Sequence, residues 1–160
     1  MVKKHQTKLG RNTILTIIGI VGICSVGGYY VVNSMIPVNG SSPVFGAPAN
    51  FYVKSLPTQN GPTFVLSSTK GGKKSFTPSQ KPIVSVSRGE LISFHMINED
   101  DQKHNLNMDE FNVHTKDLNY FESQSITFIA DKTGEFTFHC TLHPEMSGTF
   151  IVKLCQNLLK

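Results

Sequence analysis

No acidic residue occurs before Glu90, and only three cysteines, Cys24, Cys140 and Cys155, are spread over the 160 residues. The chain also has no internal repeat and no long low-complexity tract. Each absence excludes something. Without repeats the chain is not a solenoid or a propeller array. With so few cysteines, one of them inside an apolar run, a disulfide framework is not available to staple a small secreted fold. Without early acidic residues, Lys3, Lys4, Lys8 and Arg11 stand unopposed, whereas residues 44–160 carry eleven Lys/Arg against eleven Asp/Glu. The net charge of +4 therefore belongs to the N-terminal tail. A nucleic-acid-binding domain would need a basic face on its folded part, and this chain lacks that excess.

Charge is missing altogether from residues 13–36, TILTIIGIVGICSVGGYYVVNSMI. A helix needs roughly 20 apolar residues to cross the hydrocarbon of a bilayer. No polar face recurs at helical spacing, which argues against a surface helix of a soluble domain. The run predicts a transmembrane anchor, with the basic tail 1–12 on the cytoplasmic side and everything after it outside. Tyr29 and Tyr30 suit the outer interface. A cleaved signal sequence is the competing reading. The run exceeds the usual apolar core of about 7–15 residues, and the one Ala-x-Ala pattern, Ala47-Pro48-Ala49, lies well beyond it. Lipidation at Cys24 is disfavoured by the bulky Ile23 before it.

Residues 37–49, PVNGSSPVFGAPA, are rich in Pro, Gly and Ser and predict a linker. Residues 50–160 then form the folded domain. They carry no convincing helical pattern. Short β-branched or aromatic segments lie near 51–54, 63–68, 82–87, 90–98, 111–115, 124–130, 135–140 and 148–154, with turn residues between them. Such a series predicts an all-β domain, an antiparallel sandwich or barrel. Alternation assigns faces: Ile92, Phe94 and Met96 share one side of a strand, with Ser93 and His95 on the other. By the same parity Phe136, Phe138 and Cys140 face one way, and Thr137 and His139 the other.

The chemistry gathers at residues 139–146, HCTLHPEM. Cys140, His143 and Met146 have the spacing Cys-x2-His-x2-Met on one predicted loop between strands. Zinc favours Cys, His and carboxylate in tetrahedral sites and has little use for a thioether. Copper fits the mixture: thiolate and thioether suit Cu(I), imidazole suits both states, and two His with one Cys and a weak axial Met form an electron-transfer site. A second imidazole is needed. Of His95, His104, His114 and His139, His104 follows the 90–98 strand through a polar loop and is placed to reach the Cys140–Met146 loop. His95 and His139 sit in mid-strand and predict solvated histidines. His114 predicts a strand edge, Glu145 an exposed carboxylate, Met108 a packing residue, and Pro144 a stiffener of its loop.

The stretches PIVSVSRGELISFHMINEDDQKHNLNMDEFNV and GEFTFHCTLHPEMSGTFIV resemble a cupredoxin, a blue copper protein of the plastocyanin and amicyanin kind. The resemblance spans residues 80–153. It implies a Greek-key β-sandwich and one copper ion held by His104, Cys140, His143 and Met146. It further implies that Asn105 ties the two ligand loops together. The segment HNLNMDEFNVHTK also resembles the copper domain of cytochrome oxidase subunit II, but the second cysteine of that dinuclear centre is missing, so a mononuclear site is expected. No His-x-His pair of the kind that builds a trinuclear oxidase cluster occurs. The expected function is a membrane-anchored, extracytoplasmic single-electron carrier, not an enzyme, with transient redox proteins as partners. Rival readings are a copper-delivery protein, a small copper oxidoreductase acting on nitric oxide, and a structural zinc domain. The exposed edge of His143 is the expected port for the electron.

Overall fold

The computed structural model describes residues 10–67 and 81–154. The tail cations Lys3, Lys4 and Lys8, together with Cys155, lie outside the described residues. The chain divides into two compact units, Met1–Met35 and Ile36–Lys160.

In the first unit, helix α1 spans Arg11–Ser34, 24 residues, or about 36 Å at the usual rise. It starts after an extended Gly10 with no side-chain cap and has no acidic residue in its first turn. It stops just before Pro37, which cannot continue a helix. None of its residues is buried, and it is long and apolar enough to cross a membrane. Three of its hydroxyls bond within the helix itself. Thr16 Oγ1 donates to the carbonyl of Asn12, Ser25 Oγ to that of Val21, and Ser34 Oγ to that of Val31. Such back-bonding satisfies a polar side chain on its own helix, which is what an apolar surrounding demands.

The second unit is a β-sandwich built from two sheets. One sheet holds β1 (Ala49–Leu56), β2 (Thr63–Ser67), β4 (Leu91–Asn98) and β7 (Ser123–Ile129) in the order β2-β1-β4-β7. The other holds β3 (Ile83–Ser87), β5 (Asn107–Met108), β6 (Val113–His114), β8 (Gly134–His139) and β9 (Ser147–Lys153) in the order β3-β9-β8-β5-β6. The predicted all-β class holds, but the sheets are mixed and not purely antiparallel. β1 runs parallel to β4, and β3 runs parallel to β9. Parallel neighbours cannot be joined by a tight turn, so each pair is bridged by chain that visits the opposite sheet.

Phenylalanines fill the space between the sheets. Phe94 meets Phe128, Phe138 and Phe150 edge-on with ring centroids 5.4–5.8 Å apart, and Phe111 packs on Phe128, Phe136 and Phe150. Full burial of one such side chain stabilises by about 1.5–3 kcal/mol, and edge-to-face pairs add to that. The strand parities hold: Ile92, Phe94, Met96, Phe138 and Cys140 are all buried.

Two segments differ from expectation. Residues 111–115 do not form one strand. Asp109–Phe111 make a 3-10 turn, Asn112 takes a left-handed φ of 55°, and only Val113–His114 pair as β6. Asn tolerates that region better than most residues, and the turn drops Phe111 into the core. The other is the start of the Pro/Gly/Ser segment, which is seated on the domain. Val38 N–H donates to Thr127 O. The Asn39 carboxamide brackets Ile129 through both its oxygen and its nitrogen. β7 is the outer strand of its sheet, so this segment covers an edge that would otherwise invite pairing with another chain.

Candidate metal centre

Three loops at one end of the second unit carry the candidate residues. The β4–β5 connection holds His104 and Asn105, the β6–β7 connection holds Leu118, and the β8–β9 connection holds Cys140, His143 and Met146. His104 and Leu118 exchange backbone hydrogen bonds of 2.8 and 3.2 Å, which lays the first two loops side by side. The third loop closes on itself: Cys140 N–H donates to Met146 O at 3.0 Å, and Met146 N–H to His143 O at 2.9 Å.

The result is convergence. Cys140 Sγ lies 3.9 Å from His104 Nδ1 and 3.9 Å from His143 Nδ1, and the two imidazole rings have centroids 4.5 Å apart. Among the described residues these three form the group of His, Cys and carboxylate side chains able to hold a metal ion, with ligand atoms all within 4.8 Å of one another. A metal about 2.0–2.1 Å from nitrogen and about 2.3 Å from sulfur would separate sulfur from nitrogen by about 3.5–3.8 Å at tetrahedral to trigonal angles. The two sulfur–nitrogen distances of 3.9 Å lie close to that range. Met146 is fully buried at the end of the same loop, so a thioether accompanies the thiol and the imidazoles.

The surroundings orient each group. His104 is wholly buried, and its Nε2–H donates at 2.8 Å to Oδ2 of Asp100, which is 1% exposed. That bond leaves Nδ1 as the free lone pair, facing the sulfur. Burial works to raise the Asp100 carboxyl. The hydrogen bonds with His104, Asp101 and the Gln102 backbone outweigh it, so the carboxyl is held below its ordinary value. His143 is half-buried, and its Nε2 lies 2.9 Å from Gln102 Oε1.

Asn105 binds the loops together. Its N–H points at Cys140 Sγ at 3.5 Å, its Oδ1 accepts the N–H of Thr141 at 2.8 Å, and its Nδ2 donates to Thr141 Oγ1 and Asp117 Oδ1. The tie implied by resemblance is therefore present in the hydrogen bonds. Asn98, at the end of β4, anchors the chain that follows. Its Oδ1 accepts Ser55 Oγ and the N–H of Asp100, and its Nδ2 donates to the carbonyls of Gln102 and Leu118.

The remaining histidines stay outside the group. His95 is half-buried on the outer face of its sheet, stacked on Tyr52 and bonded to Ser125 Oγ and Asn50 Oδ1, so it is not the solvated histidine expected from the sequence. The cross-strand neighbours hold it, and the alternation pattern does not name them. His114 is exposed at the sheet edge with Nδ1 2.9 Å from Asn107 Oδ1, and His139 points away from the site on β8. Met108 is packed in the core, and Glu145 is exposed. Sequence reasoning missed Asp100, Gln102 and Asn98. The Asp-x3-His spacing was the one available signal, and it is weak outside a helix.

A family model for a cupredoxin-like domain matches residues 46–152. No curated protein sequence matches the chain. Solved structures similar to it include a copper nitrite reductase from Nitrosomonas europaea, at 19% identity with a TM-score of 0.51, covering 69% of this chain and 43% of that one. An auracyanin from Roseiflexus castenholzii matches at 20% identity and a TM-score of 0.48, covering 68% of this chain and 99% of that one. Auracyanin A, a blue copper protein from Chloroflexus aurantiacus, matches at 17% identity and a TM-score of 0.46, covering 67% of this chain and all of that one. The chain thus spans less than half of the nitrite reductase. At such identities the likeness concerns the fold.

Proposed function

The chain belongs to the cupredoxin-like domain family, and from that premise we propose that it is a membrane-anchored, extracytoplasmic carrier of single electrons at one mononuclear copper site. The observation that supports this reading is the convergence of His104 Nδ1, Cys140 Sγ and His143 Nδ1 beneath a loop closed by Met146. In this reading His104, Cys140, His143 and Met146 would hold the ion, with the thioether of Met146 the weakest donor. A copper ion bound there supplies a couple between Cu(I) and Cu(II), so one electron enters and one leaves, with no bond made or broken in a substrate.

The chain's own residues do the rest. Cys140 is wholly buried, and the Asn105 N–H aimed at its sulfur stabilises negative charge there. Asp100 fixes the tautomer and rotation of His104. The Asn105 bonds to Thr141 and Asp117 join the loops, so the donor set keeps one spacing. A cage held this way changes little when an electron arrives, which is what fast transfer requires. His143 is the only one of these donors not fully buried, and its ring edge is the proposed port. Beside it Leu142 is 45% exposed and Pro144 is exposed, an apolar rim suited to brief docking of a redox partner. Helix α1, with the basic tail cytoplasmic, would keep the domain near membrane-bound donors and acceptors. A delivery protein would be better served by exposed donors than by a buried thiol.

The test is to load the full chain with Cu(II) and record its visible spectrum and voltammogram. An intense thiolate-to-copper band with a reversible one-electron couple is expected, lost in Cys140→Ser. Met146→Leu should keep the band and shift the potential. A colourless wild type, or a band that survives in Cys140→Ser, overturns the copper reading. An irreversible couple overturns the carrier role.

A further inference from the structure

An imidazole that turns Nδ1 toward a sulfur or a metal carries its proton on Nε2, and that proton needs an acceptor. For His104 the acceptor is buried in the domain, the Asp100 carboxylate. For His143, the half-buried ring, the acceptor is the side chain of Gln102, 41 residues away in sequence and 2.9 Å away in space. One loop therefore holds both imidazoles by their far nitrogens, through side chains two residues apart.

The loop is stiff at the point where it matters. The Gln102 carbonyl accepts Asn98 Nδ2 at 2.7 Å, and Asn98 is fully buried, with its Oδ1 occupied by Ser55 Oγ and the Asp100 N–H. Swinging the Gln102 backbone away would break bonds made inside the domain. The Gln102 side chain is exposed, so its carboxamide makes a surface contact that nothing in the packing of the core requires. We propose that Gln102 is a positioning residue for His143: its carboxamide oxygen accepts a hydrogen bond from Nε2–H and thereby fixes the tautomer and rotation of the ring in both oxidation states of the carrier. This rests on the electron-carrier reading above.

The chemistry of the amide suits the place. Asp100 already puts one carboxylate against the buried imidazole. A neutral acceptor at the outer imidazole orients it without a second negative charge favouring the oxidised state. Without Gln102, the outer edge of a ring held only through Nδ1 can tilt, and electron transfer would carry the cost of returning it. Gln102 also covers the outer nitrogen of that ring, so a partner docking at the His143 edge meets the carboxamide first.

The experiment compares full-length wild type, Gln102→Ala and Gln102→Glu, each loaded with copper. Three quantities are read: the reduction potential, the solvent exchange of the His143 Nε2 proton in the diamagnetic Cu(I) form by 15N NMR, and the melting temperature of the metal-free chain. Gln102→Ala should keep the visible band and the metal-free melting temperature. Its Nε2 proton should exchange faster, and its potential should rise by an amount equal to a roughly two- to tenfold change in the ratio of Cu(I) to Cu(II) affinity, the worth of one neutral hydrogen bond. Gln102→Glu should restore slow exchange and lower the potential below that of wild type. A blue Gln102→Ala with unchanged potential and exchange overturns this inference and leaves the carrier reading standing. A lower melting temperature with unchanged potential assigns Gln102 to stability alone and overturns it too. A wild type without the band overturns the carrier reading and this inference with it.

Discussion

At the scale of single residues, the polar groups around the centre are worth more than their number suggests, because they are buried and fully paired. Every buried polar side-chain atom among the described residues has a hydrogen-bond partner. Asn98 serves Ser55, Asp100, Gln102 and Leu118 at once, and removing such a residue strands several groups at about 1–3 kcal/mol each. Glu122 extends the network at the surface. Its carboxylate accepts the N–H of Asn119 at 2.8 Å and its Nδ2 at 3.0 Å, closing a turn in which Phe121 holds a left-handed φ of 57° and donates its N–H to Asn98 O. These bonds, first that from the Asn119 backbone, then its side chain, with Lys116 nearby, hold the Glu122 carboxyl below its ordinary value. A depressed carboxyl contributes stability that is present above its unfolded-state value and is lost as pH falls through the folded one. Glu122→Gln should therefore lower the denaturation midpoint of the metal-free chain at pH 7, and the difference from wild type should shrink as the solution is made acid enough to protonate carboxylates. A difference that acid leaves unchanged would mean the charge is not what the turn uses. Cys140, His143 and Met146 were readable as a group because their spacing is local and their ligand types are unusual together. Gln102 and Asn98 were not, since a polar residue in a polar loop gives no sign of its partner until the loops are folded against each other.

At the scale of elements, β8 and β9 position the thiol, and their pairing depends on a missing side chain. Phe138 lies directly opposite Gly148, and a Cβ added at Gly148 would run into the Phe138 ring. The ring is fully buried between Phe64 and Phe94, so it has nowhere to move. Gly148→Ala should destabilise the domain by about 1–3 kcal/mol, as overpacking a filled core does. Cys140 is two residues beyond Phe138, so the same variant should also broaden or shift the thiolate-to-copper band; urea denaturation and the visible spectrum check the two effects. A neutral outcome in both would mean that β9 slides without disturbing the core. The strands themselves were legible wherever alternation ran for five residues or more, as in β4, β7, β8 and β9. The two-residue strand β5 was not, and β6 was read as the longer segment 111–115, because a pair of residues has no period. The parallel pairings of β1 with β4 and β3 with β9 were also out of reach, since alternation reports which face a residue takes and is silent about its neighbour strand.

At the scale of the whole molecule, the sequence sets a helix uncharged from residue 13 onward against a charge-balanced domain, and the two call for different surroundings. Residues 44–160 carry no net charge, so the domain has little long-range field to draw a partner to it. Confinement at a membrane would supply the encounter frequency that electrostatic steering does not. Helix α1 suits this need, with no buried residue, three of its hydroxyls bonded to its own backbone, and a length of about 36 Å against roughly 30 Å of hydrocarbon. Expressed in a bacterium, the full chain should sediment with membranes and remain there through a high-salt, alkaline wash. Protease added outside intact spheroplasts should digest the β-sandwich domain and leave a fragment of the basic tail and helix. Release of a soluble domain with a new N-terminus near Ala49 would identify the helix as a signal sequence, and protection of the domain from external protease would reverse the orientation. The anchored outcome also predicts a functional consequence. Replacing residues 1–35 with a cleavable secretory signal should leave the visible band and potential unchanged but slow reduction by a membrane-bound donor, because the freed domain must find its partner in three dimensions.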